Sequence, residues 1–357
     1  MQFERLLITG GAGFVGSSLA IKFRRRFPKL SVLAADNLKR RGSELNLVRL
    51  KEAGVFFEHV DIRVPHDLEE LGSFDLLVDC AAEPSVQSGT SGSPRFVLDT
   101  NLQGTINCLE AARQRRAAFL FLSTSRVYPI AQLNGLPFYE DESRFRWKTS
   151  DGVPGFSEQG IAEEFPIRGP RSFYGASKLA GELLIQEYVY NTGLRALIDR
   201  CGLLAGPWQM GKVDQGVVTL WVARHYFGRP LSYIGFGGQG KQVRDILHVD
   251  DLFELLCRQL ANPQVWDGRS YNVGGGMDVS ASLKELTAVC VEATGNSIDI
   301  RPVCETNDVD VRIYVTDARR VSRDFDWSPS RNVPSIVEDI HAWLASNHAS
   351  LRSVLDR

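Results

Sequence analysis

Tyr174 and Lys178 are two side chains whose types and spacing could produce chemistry. They lie four residues apart, a separation that places both on the same face of a helix. An ammonium beside a phenol favours the phenolate and lowers the tyrosine pKa from about 10 toward neutrality. Such a tyrosine can take the proton of an alcohol while hydride leaves the adjacent carbon. The pair therefore predicts a catalytic base, although this spacing is also common by chance.

Thr124 is a hydroxyl-bearing residue that could assist this reaction. Residues 122–125 (Leu-Ser-Thr-Ser) close an apolar run that is typical of a buried strand. From the end of that strand, Thr124 could hydrogen-bond the same substrate oxygen and orient it toward Tyr174. Serine and threonine at a strand end also cap the following turn in many proteins, so that second role stays open.

A glycine-rich segment near the N-terminus predicts a dinucleotide site. Residues 9–16 (TGGAGFVG) follow the first predicted strand and open the first predicted helix, which is the context that gives such glycines meaning. Gly10 permits a tight turn, Gly13 lets the backbone approach a pyrophosphate, and Gly16 allows close packing of helix on strand. The helix N-terminus adds free N–H groups and a positive dipole end. A plain tight turn is the alternative explanation.

Asp36 indicates which dinucleotide would bind. It ends the second predicted strand, at the distance after Gly16 where a carboxylate can accept hydrogen bonds from the adenosine ribose hydroxyls. This favours NAD over NADP, because a 2′-phosphate would be repelled. Lys39, Arg40 and Arg41 keep NADP open, since a nearby cation could hold that phosphate. Alternatively, these three residues belong to a solvated loop.

Short strands that alternate with helices would position these groups. Strand, helix and strand at this spacing are typical of parallel βαβ units. Helices on both faces of such a sheet predict a Rossmann-like, doubly wound α/β fold with a smaller C-terminal α/β domain. The predicted strands are residues 6–9, 31–35, 55–58, 76–79, 118–123 and 195–200, and the predicted helices begin at residue 13 or cover residues 43–53, 95–115, 172–192, 250–261 and 283–295.

Two interleaved domains are expected. Residues 1–200 form the predicted NAD-binding domain, to which part of 241–268 returns, and residues 201–357 form the predicted substrate domain. Residues 129–170 are rich in glycine, proline, acidic and aromatic residues and exceed an ordinary connection in length. We interpret them as an insertion that is either a functional lid or disordered.

Composition argues against several other classes of protein. A formal net charge of −2 over 357 residues gives no electrostatic reason to bind nucleic acid or an anionic membrane. No run approaches the roughly 20 apolar residues that span a bilayer, and no cleavable signal is recognised, so a cytoplasmic protein is expected. The cysteines contain no close pair, which predicts reduced core residues and no metal site. They are Cys80, Cys108, Cys201, Cys257, Cys290 and Cys304.

Further motifs recur along nearly the whole chain. They are Asp36-Asn37, Asp61-Ile62, Ala81-Ala82, Asn101 with Gly104-Thr105, Ser123-Thr124, Val127-Tyr128, residues 240–251 (GKQVRDILHVDD), residues 271–276 (YNVGGG) and Trp327-Ser328-Pro329. Together with residues 9–16 and Tyr174 to Lys178, they resemble the extended short-chain dehydrogenases. Members of that family include nucleotide-sugar epimerases and dehydratases.

The resemblance implies roles for individual residues. Thr124, Tyr174 and Lys178 would be catalytic, and the cofactor would be NAD. The implied cofactor-binding residues are Gly10, Gly13, Phe14, Val15, Gly16, Asp36, Asn37, Asp61, Ile62, Ala81, Ala82, Asn101, Ser123, Tyr174 and Lys178. The implied substrate-binding residues are Thr124, Arg126, Gln209, Gln215, Arg244 and Arg312.

Arg244 and Arg312 resemble the arginines that clasp the diphosphate of a nucleotide sugar, here a CDP or UDP sugar. A charged fork suits that role. Either arginine could instead belong to a surface ion pair. Arg312 is more open to this alternative, because Asp308 and Asp310 precede it.

The residues after Thr124 distinguish among members of the family. The 4,6-dehydratases carry an Asp-Glu pair directly after the catalytic threonine, whereas this chain has Ser125-Arg126. The resemblance therefore argues against a dehydratase. A basic residue at Arg126, the insertion before the tyrosine, and Asp214-Gln215-Gly216 with Gln209 upstream are similar to epimerases acting at carbon 2 of CDP-linked sugars.

Two positions depart from the family pattern and leave the substrate open. Pro129 replaces a usual glycine, and Ala205 stands where a tyrosine commonly precedes Gly-Pro. The expected function is an NAD-dependent nucleotide-sugar epimerase that oxidises and re-reduces its sugar. Alternatives are a UDP-hexose 4-epimerase, a net NAD(P)-dependent oxidoreductase, and a non-catalytic dinucleotide sensor. A sensor would not need the three catalytic residues.

An oligomer is also expected from the resemblance. The predicted helices at residues 95–115 and 172–192 are similar to those that pair across a four-helix dimer interface in this family. We therefore expect a homodimer or a larger homo-oligomer.

Overall fold

The computed structural model describes residues 2–148, 152–211 and 215–356, and the chain forms two compact units. The first unit comprises Met1–Val127, Ser172–Arg200 and Phe253–Tyr271. The second comprises Tyr128–Arg171, Cys201–Leu252 and Asn272–Arg357.

These units differ from the expected domains in two segments. Residues 129–170, expected within the first domain, belong to the second unit, and the returning segment is Phe253–Tyr271 rather than part of 241–268. Because it gains the insertion, the second unit is no smaller than the first, contrary to expectation.

The bounds of the regular elements follow in chain order. The strands are β1 (Arg5–Thr9), β2 (Ser31–Asp36), β3 (Phe56–His59), β4 (Leu76–Asp79), β5 (Ala118–Thr124), β6 (Phe138–Glu140), β7 (Phe145–Trp147), β8 (Phe156–Ser157), β9 (Gly160–Ile161), β10 (Ala196–Cys201), β11 (Leu203–Ala205), β12 (Leu231–Ile234), β13 (Val243–His248), β14 (Asp267–Val273), β15 (Ser280–Ser282), β16 (Ile300–Val303) and β17 (Ile313–Tyr314). The α-helices are α1 (Phe14–Arg26), α2 (Asn46–Glu52), α3 (Pro65–Glu69), α4 (Arg95–Leu98), α5 (Gly104–Gln114), α6 (Ile130–Asn134), α7 (Phe173–Thr192), α8 (Val217–Phe227), α9 (Val249–Ala261), α10 (Leu283–Thr294), α11 (Arg319–Phe325), α12 (Val333–Ser346) and α13 (His348–Leu355).

A seven-stranded sheet has the order β14-β10-β5-β4-β1-β2-β3. Parallel pairing joins β1 to β2 and to β4, β2 to β3, and β4 to β5. The order of the strands along the chain reverses between β1 and β4. In a doubly wound sheet, ligands bind at the carboxyl ends of the strands at such a switch point. The predicted Rossmann-like fold is confirmed.

Apolar side chains from strands and helices form the core of the first unit. Leu7, Leu77, Phe119 and Phe121 of the sheet are fully buried and belong to a cluster that Leu109 of α5 also joins. Burying this apolar surface is the main favourable term that holds the helices to the sheet.

The predicted single helix over residues 95–115 is interrupted. α4 and α5 are separated by a π-helical turn at Asp99–Gln103. Such turns widen a helix locally and often occur at functional sites, and this one contains the buried side chain of Asn101.

The second unit is built around β13. It pairs in parallel with β11 and β17 and antiparallel with β15. A separate parallel pair joins β12 and β16. Helices α8, α10 and α12 pack against one another in this unit.

The insertion is folded onto the second unit over its described residues. β6 and β7 form an antiparallel hairpin, and so do β8 and β9. Phe145 N–H donates to the carbonyl of Lys241 at 2.9 Å, and Ile161 N–H donates to the carbonyl of Val315 at 2.9 Å. For this part of the insertion, the disordered alternative is wrong, because its backbone groups form hydrogen bonds with other segments of the second unit. The sequence left a functional lid as the other alternative.

Within the three described ranges, no helix combines the length and the apolar composition needed to cross a bilayer.

Candidate active site

The glycine-rich loop between β1 and α1 has a backbone shape that only small residues allow. Gly10 has φ of 62°, and a Cβ there would lie 2.9 Å from backbone atoms of Cys80 and Ala81. A Cβ on Gly16 would overlap the carbonyl oxygen of Gly10. Gly13 is the N-cap of α1, and no side chain in the described part of the chain caps that end. The loop and the open helix N-terminus therefore fit the pyrophosphate of a dinucleotide, with Phe14 and Val15 in the first turn.

Asp36, at the end of β2, holds the glycine-rich loop. Its Oδ2 accepts a hydrogen bond from Ala12 N–H at 3.1 Å, and its Oδ1 accepts one from Leu38 N–H at 2.8 Å. Burial raises the pKa of Asp36, and the backbone donors oppose that rise. Each carboxylate oxygen can accept a further hydrogen bond, so Asp36 can hold the loop and still accept a ribose hydroxyl.

Asp61 and Asn37, which the family resemblance implies to contact the cofactor, are hydrogen-bonded to each other. Asn37 Nδ2 donates to Asp61 Oδ2 at 3.2 Å. Arg63 forms an ion pair with the same carboxylate, with Nη2 2.5 Å from Oδ2. Hydrogen bonds from Arg63 lower the pKa of Asp61 to about 2. The carboxylate beside β3 is therefore ionised and fixed in place at neutral pH.

Asn101 fixes the chain that follows β4. Its Nδ2 donates to the carbonyl of Glu83 at 3.0 Å, and its Oδ1 accepts from Glu83 N–H at 2.7 Å. This two-way bond lies just after Ala81 and Ala82, which are partly exposed at the strand-order switch, whereas Ile62 is buried. Asn101 thus shapes the segment that the sequence predicts to line the cofactor groove.

Lys39 has a partner within the protein. Its Nζ lies 4.0 Å from the centroid of the Phe96 ring, a cation–π contact. The guanidinium of Arg63 faces the same ring at 5.5 Å. The contact with Phe96 accounts for the position of the Lys39 ammonium without a bound 2′-phosphate. Arg40 and Arg41 belong to the same loop.

Helix α7 carries the Tyr174–Lys178 pair. Ser172 caps its start by accepting a hydrogen bond from Gly175 N–H at 3.1 Å. Tyr174 is partly exposed, while Lys178 is only 2% exposed. Lys178 Nζ donates to the carbonyl of Leu122 at 2.9 Å. The lysine therefore ties the first turns of α7 to the end of β5, which is where Thr124 lies.

Thr124 both caps a turn and keeps a proton to donate. Its Oγ1 accepts a hydrogen bond from Arg126 N–H at 3.2 Å, and Arg126 lies in the short 3-10 turn Ser125–Val127. The hydroxyl proton of Thr124 is not used in this bond. The two roles that the sequence left open are thus compatible.

Of the two arginines that the sequence predicts to bind a diphosphate, Arg244 and Arg312, Arg244 forms an ion pair. Its Nη2 lies 2.7 Å from Asp310 Oδ1 and also donates to the carbonyl of Val311 at 2.6 Å. The ion-pair alternative was expected more strongly for Arg312, and that expectation is wrong. The side chain of Arg244, on β13, pairs with Asp310, although Arg312 lies nearer to Asp310 in the sequence.

Arg312 is surrounded by aromatic rings. Its guanidinium carbon lies 3.9 Å from the centroid of Phe138, 5.3 Å from that of Phe236 and 5.8 Å from that of Phe145. Nη1 donates to the carbonyl of Asn134 at 3.1 Å. In the described ranges no carboxylate lies within ion-pair distance of this side chain, and burial lowers its pKa. Among the described residues, Arg312 therefore has no carboxylate partner, and its positive charge is open to an anion.

The side-chain amide of Gln209 forms hydrogen bonds within the second unit. Nε2 donates to the carbonyl of Leu204 at 2.9 Å, and Oε1 accepts from Thr219 Oγ1 at 2.8 Å. Gln215 is partly buried, and Asp214 of the same motif lies outside the described residues. The structure gives Gln209 a positioning contact with β11 and α8.

Asp79 is a residue that sequence reasoning missed. It is fully buried at the end of β4, where it accepts hydrogen bonds from Thr9 Oγ1 at 2.6 Å and Thr105 Oγ1 at 3.2 Å. It thereby joins the start of the glycine-rich motif to α5. The available signal was a carboxylate closing an otherwise apolar predicted strand.

Asn46 was also missed. Its Nδ2 donates to the carbonyl of Ala12 at 2.8 Å, so α2 supports the glycine-rich loop as well. It is 2% exposed. A buried amide that satisfies a loop carbonyl preorganises that loop for its ligand.

Comparison with known proteins agrees with the fold and the loop. Residues 6–274 match the NAD dependent epimerase/dehydratase family. The chain is 31% identical over 356 residues to a CDP-paratose 2-epimerase of Salmonella typhi, covering 96% of this chain and 99% of the relative.

Solved structures show the same fold. A dTDP-glucose 4,6-dehydratase double mutant of Streptomyces venezuelae, solved with NAD bound, has a TM-score of 0.80 at 26% identity and covers 98% of this chain and 99% of its own. A UDP-glucose 4-epimerase of Thermus thermophilus in complex with NAD has a TM-score of 0.75 at 26% identity and covers 96% and 99%.

The resemblance to extended short-chain dehydrogenases is confirmed by these matches. The predicted cofactor, NAD, and the predicted epimerase class are confirmed at the level of the family. The glycine-rich loop, the fold and the matched residues together show that this chain belongs to the NAD dependent epimerase/dehydratase family.

Proposed function

We propose that this protein is a nucleotide-sugar epimerase that inverts carbon 2 of a CDP-linked hexose or deoxyhexose and retains its NAD. The observation that carries the proposal is the Tyr174–Lys178 pair, which the bond from Lys178 to Leu122 fastens to the end of β5. The nearly full-length similarity to CDP-paratose 2-epimerase supports the choice of nucleotide and carbon.

In this proposal the residues of the chain carry out proton transfer. Tyr174 takes the proton of the sugar hydroxyl and later returns it, because the ammonium of Lys178 stabilises its phenolate. Thr124 donates a hydrogen bond from its hydroxyl to the same substrate oxygen and keeps its proton. NAD, when bound, supplies a reversible hydride acceptor. Between the two proton transfers the keto sugar rotates, so that its other face is reduced.

Arg244 and Arg312 are proposed to hold the diphosphate while the sugar rotates. Arg312 has the stronger support, since among the described residues its guanidinium has a carbonyl and aromatic rings as neighbours rather than a carboxylate. Arg244 is neutralised by Asp310. To bind the phosphate, Arg244 would either release Asp310 or pair with both anions. Arg126, on the turn after Thr124, is proposed to contact the sugar, and so is Gln215.

The residues after Thr124 favour an epimerase over a dehydratase. An elimination needs an acid and a base beside the sugar, and Ser125 and Arg126 supply no carboxylate there. A 4-epimerase acting on a UDP-hexose is the second candidate, because the structure is similar to UDP-glucose 4-epimerase from Thermus thermophilus. Both reactions use the same tyrosine and lysine, so substrate trials decide between them.

Mass spectrometry of the small molecules released when the purified protein is denatured tests cofactor retention. Near-equimolar NAD or NADH is the expected result, and a co-released CDP species would identify the nucleotide. A protein that releases no dinucleotide, yet binds and reduces added NAD stoichiometrically with substrate, would be a net oxidoreductase.

Activity is then measured by NMR with CDP-paratose and, separately, UDP-glucose. Inversion of CDP-paratose at carbon 2 is expected, and Tyr174→Phe should slow it by about a hundredfold or more. Tyr190→Phe is the matched control, because Tyr190 lies on the same helix and is 87% exposed. Turnover of UDP-glucose alone, or near-native turnover by Tyr174→Phe, would contradict the proposal.

We also propose that the protein is a cytoplasmic homodimer that pairs through α5 and α7. Large apolar side chains exposed on α7, Leu183 at 53% and Phe173 at 41%, support an interface there. None of the six cysteines, all of which lie in the described ranges, forms a disulfide, in keeping with a reducing compartment. Light scattering at micromolar concentration should give the mass of a dimer, and a monomer mass would contradict the proposal.

A further inference from the structure

Helix α7 carries a third polar residue on the catalytic face. Tyr174, Lys178 and Glu182 follow one another at intervals of four residues, so they form one stripe along the helix. Glu182 is 2% exposed, as is Lys178. A carboxylate this deeply buried requires strong partners, and the partners of Glu182 come from two strands of the sheet.

The first partner is Ser123. Its Oγ donates to Glu182 Oε1 at 2.5 Å. Lys178 is bonded to Leu122, the residue before it. Two successive turns of α7 are therefore fastened to two successive residues of β5, and the next residue of that strand is Thr124.

The second partner is Arg200 of β10, the strand beside β5. Its Nε lies 3.0 Å from Glu182 Oε2, and its Nη2 lies 2.7 Å from the same oxygen. The side chains of the pair are only 7% and 3% exposed. The fork fixes the carboxylate in position and compensates its charge close to Lys178.

Stability alone explains this pair poorly. Replacing a buried ion pair with well-packed apolar residues often leaves stability unchanged or improves it, because desolvating two charges offsets their attraction. What the pair provides that apolar residues cannot is a fixed acceptor for the hydroxyl of Ser123. That acceptor holds the end of β5 at one distance from α7.

We infer that Glu182, held by Arg200, is a positioning residue that sets Thr124 against Tyr174 through the hydroxyl of Ser123. This inference rests on the proposed function, since it concerns the geometry of that proton transfer. It also changes the role of Ser123. The single hydroxyl proton of Ser123 is donated to Glu182. Ser123 therefore links β5 to that carboxylate and is not a donor to the cofactor.

The test compares kinetics of the holoenzyme, with CDP-paratose as substrate, for Ser123→Ala, for the pair replacement E182L/R200M, and for the triple variant. Ser123→Ala should lower kcat about tenfold, the scale of one charge-assisted hydrogen bond, and leave KM within about twofold. The triple variant should be no slower than E182L/R200M, because the serine would no longer have a partner to act through.

Tyr188→Phe is the matched control. Tyr188 lies further along α7, and its hydroxyl donates to Glu110 of α5, so the substitution also removes a tether of this helix. It should leave kcat unchanged. A kcat for Ser123→Ala within twofold of the parent would overturn the inference, even if E182L/R200M did not fold. So would a triple variant whose loss is the product of the two separate losses.

Hydrogen exchange keeps the inference separate from the proposed function. Ser123→Ala should speed amide exchange in the peptide that contains residues 122–124, and Tyr188→Phe should not. If the parent protein does not convert CDP-paratose, the proposed function fails, and the exchange measurement still decides whether Ser123 fastens the strand end. Unchanged exchange there would overturn the inference.

Discussion

The guanidinium of Arg312 lies over the ring of Phe138, 3.9 Å from its centroid. Phe138 belongs to β6 of the insertion, whereas Arg312 precedes β17 near the end of the chain. The insertion thus supplies two of the aromatic rings around this cation, Phe138 and Phe145. An aromatic cage orients the planar guanidinium while leaving its charge available to an anion.

Arg312→Lys should weaken binding of CDP about tenfold, because an ammonium lacks the planar fork that engages phosphate oxygens in pairs. Isothermal titration with CDP measures the effect. Arg301→Lys serves as the control, since Arg301 is 74% exposed and pairs with Asp299 on the surface. Equal CDP affinity for the parent and Arg312→Lys would remove Arg312 from the proposed diphosphate site.

Gly16→Ala should abolish retention of NAD. The added methyl group would overlap the carbonyl oxygen of Gly10, so the loop must open or α1 must move away from β1. The ratio of released dinucleotide to protein is measured after denaturation. Gly72→Ala is the control, because no atom of the described residues lies within 4 Å of a Cβ at Gly72. Full NAD occupancy in Gly16→Ala would contradict the assignment of the loop.

Asp199 should make the protein less stable as pH rises from about 4 to 7. Burial raises the pKa of Asp199 to about 7, so the folded state keeps a proton that the unfolded state releases from its ordinary pKa near 3.8. The free energy of unfolding therefore falls across this window and levels off above it. Oδ2 of Asp199 and Oε1 of Gln259 are buried and have no hydrogen-bond partner among the described residues, which fits a protonated carboxyl.

Asp199→Asn removes this titration. It should raise the free energy of unfolding at pH 8 by on the order of 1 kcal/mol and flatten its pH dependence, as measured by urea unfolding from pH 4.5 to 8 with NAD in excess. The exposed Asp299→Asn should keep the parent slope. A slope in Asp199→Asn equal to that of the parent would show that Asp199 ionises normally.

Arg144 should be the residue that fastens the insertion. Its guanidinium donates to Glu285 Oε1 at 2.8 Å and to Ser280 Oγ at 3.0 Å. Burial alone would raise the pKa of Glu285, but hydrogen bonds from Arg144 and neighbouring donors hold it lower, at about 2. This contribution is present above the unfolded pKa near 4.5 and is lost as pH falls toward 2.

Arg144→Met should destabilise the protein by about 1–3 kcal/mol at pH 7, and the loss should shrink below pH 4. Arg146→Met is the matched control two residues away, because Arg146 and Asp141 form an exposed ion pair that contributes only about 0–1 kcal/mol. If denaturant titrations gave the same loss of unfolding free energy for both substitutions, the Arg144 contacts would stabilise the protein no more than an exposed ion pair does.

Much of the first unit could be predicted from local pattern. β1, α1, β2 and β5 begin within a residue or two of the predicted positions, because apolar periodicity and glycine turns act over a few residues. The unit assignment of residues 129–170 could not be predicted. It depends on backbone bonds such as that from Phe145 to Lys241, whose partners lie far apart in the sequence.

For the site, the sequence by itself determined the groups that are close along the chain: the glycines of residues 9–16 and the helical spacing of Tyr174 and Lys178. Tertiary structure alone decided which charges are paired. It placed Asp310 beside Arg244 rather than Arg312, and Arg200 beside Glu182. The reason is physical: helix and turn geometry act over neighbouring residues, whereas an ion pair between a strand and a distant helix or loop depends on how these elements pack, which only the folded core sets.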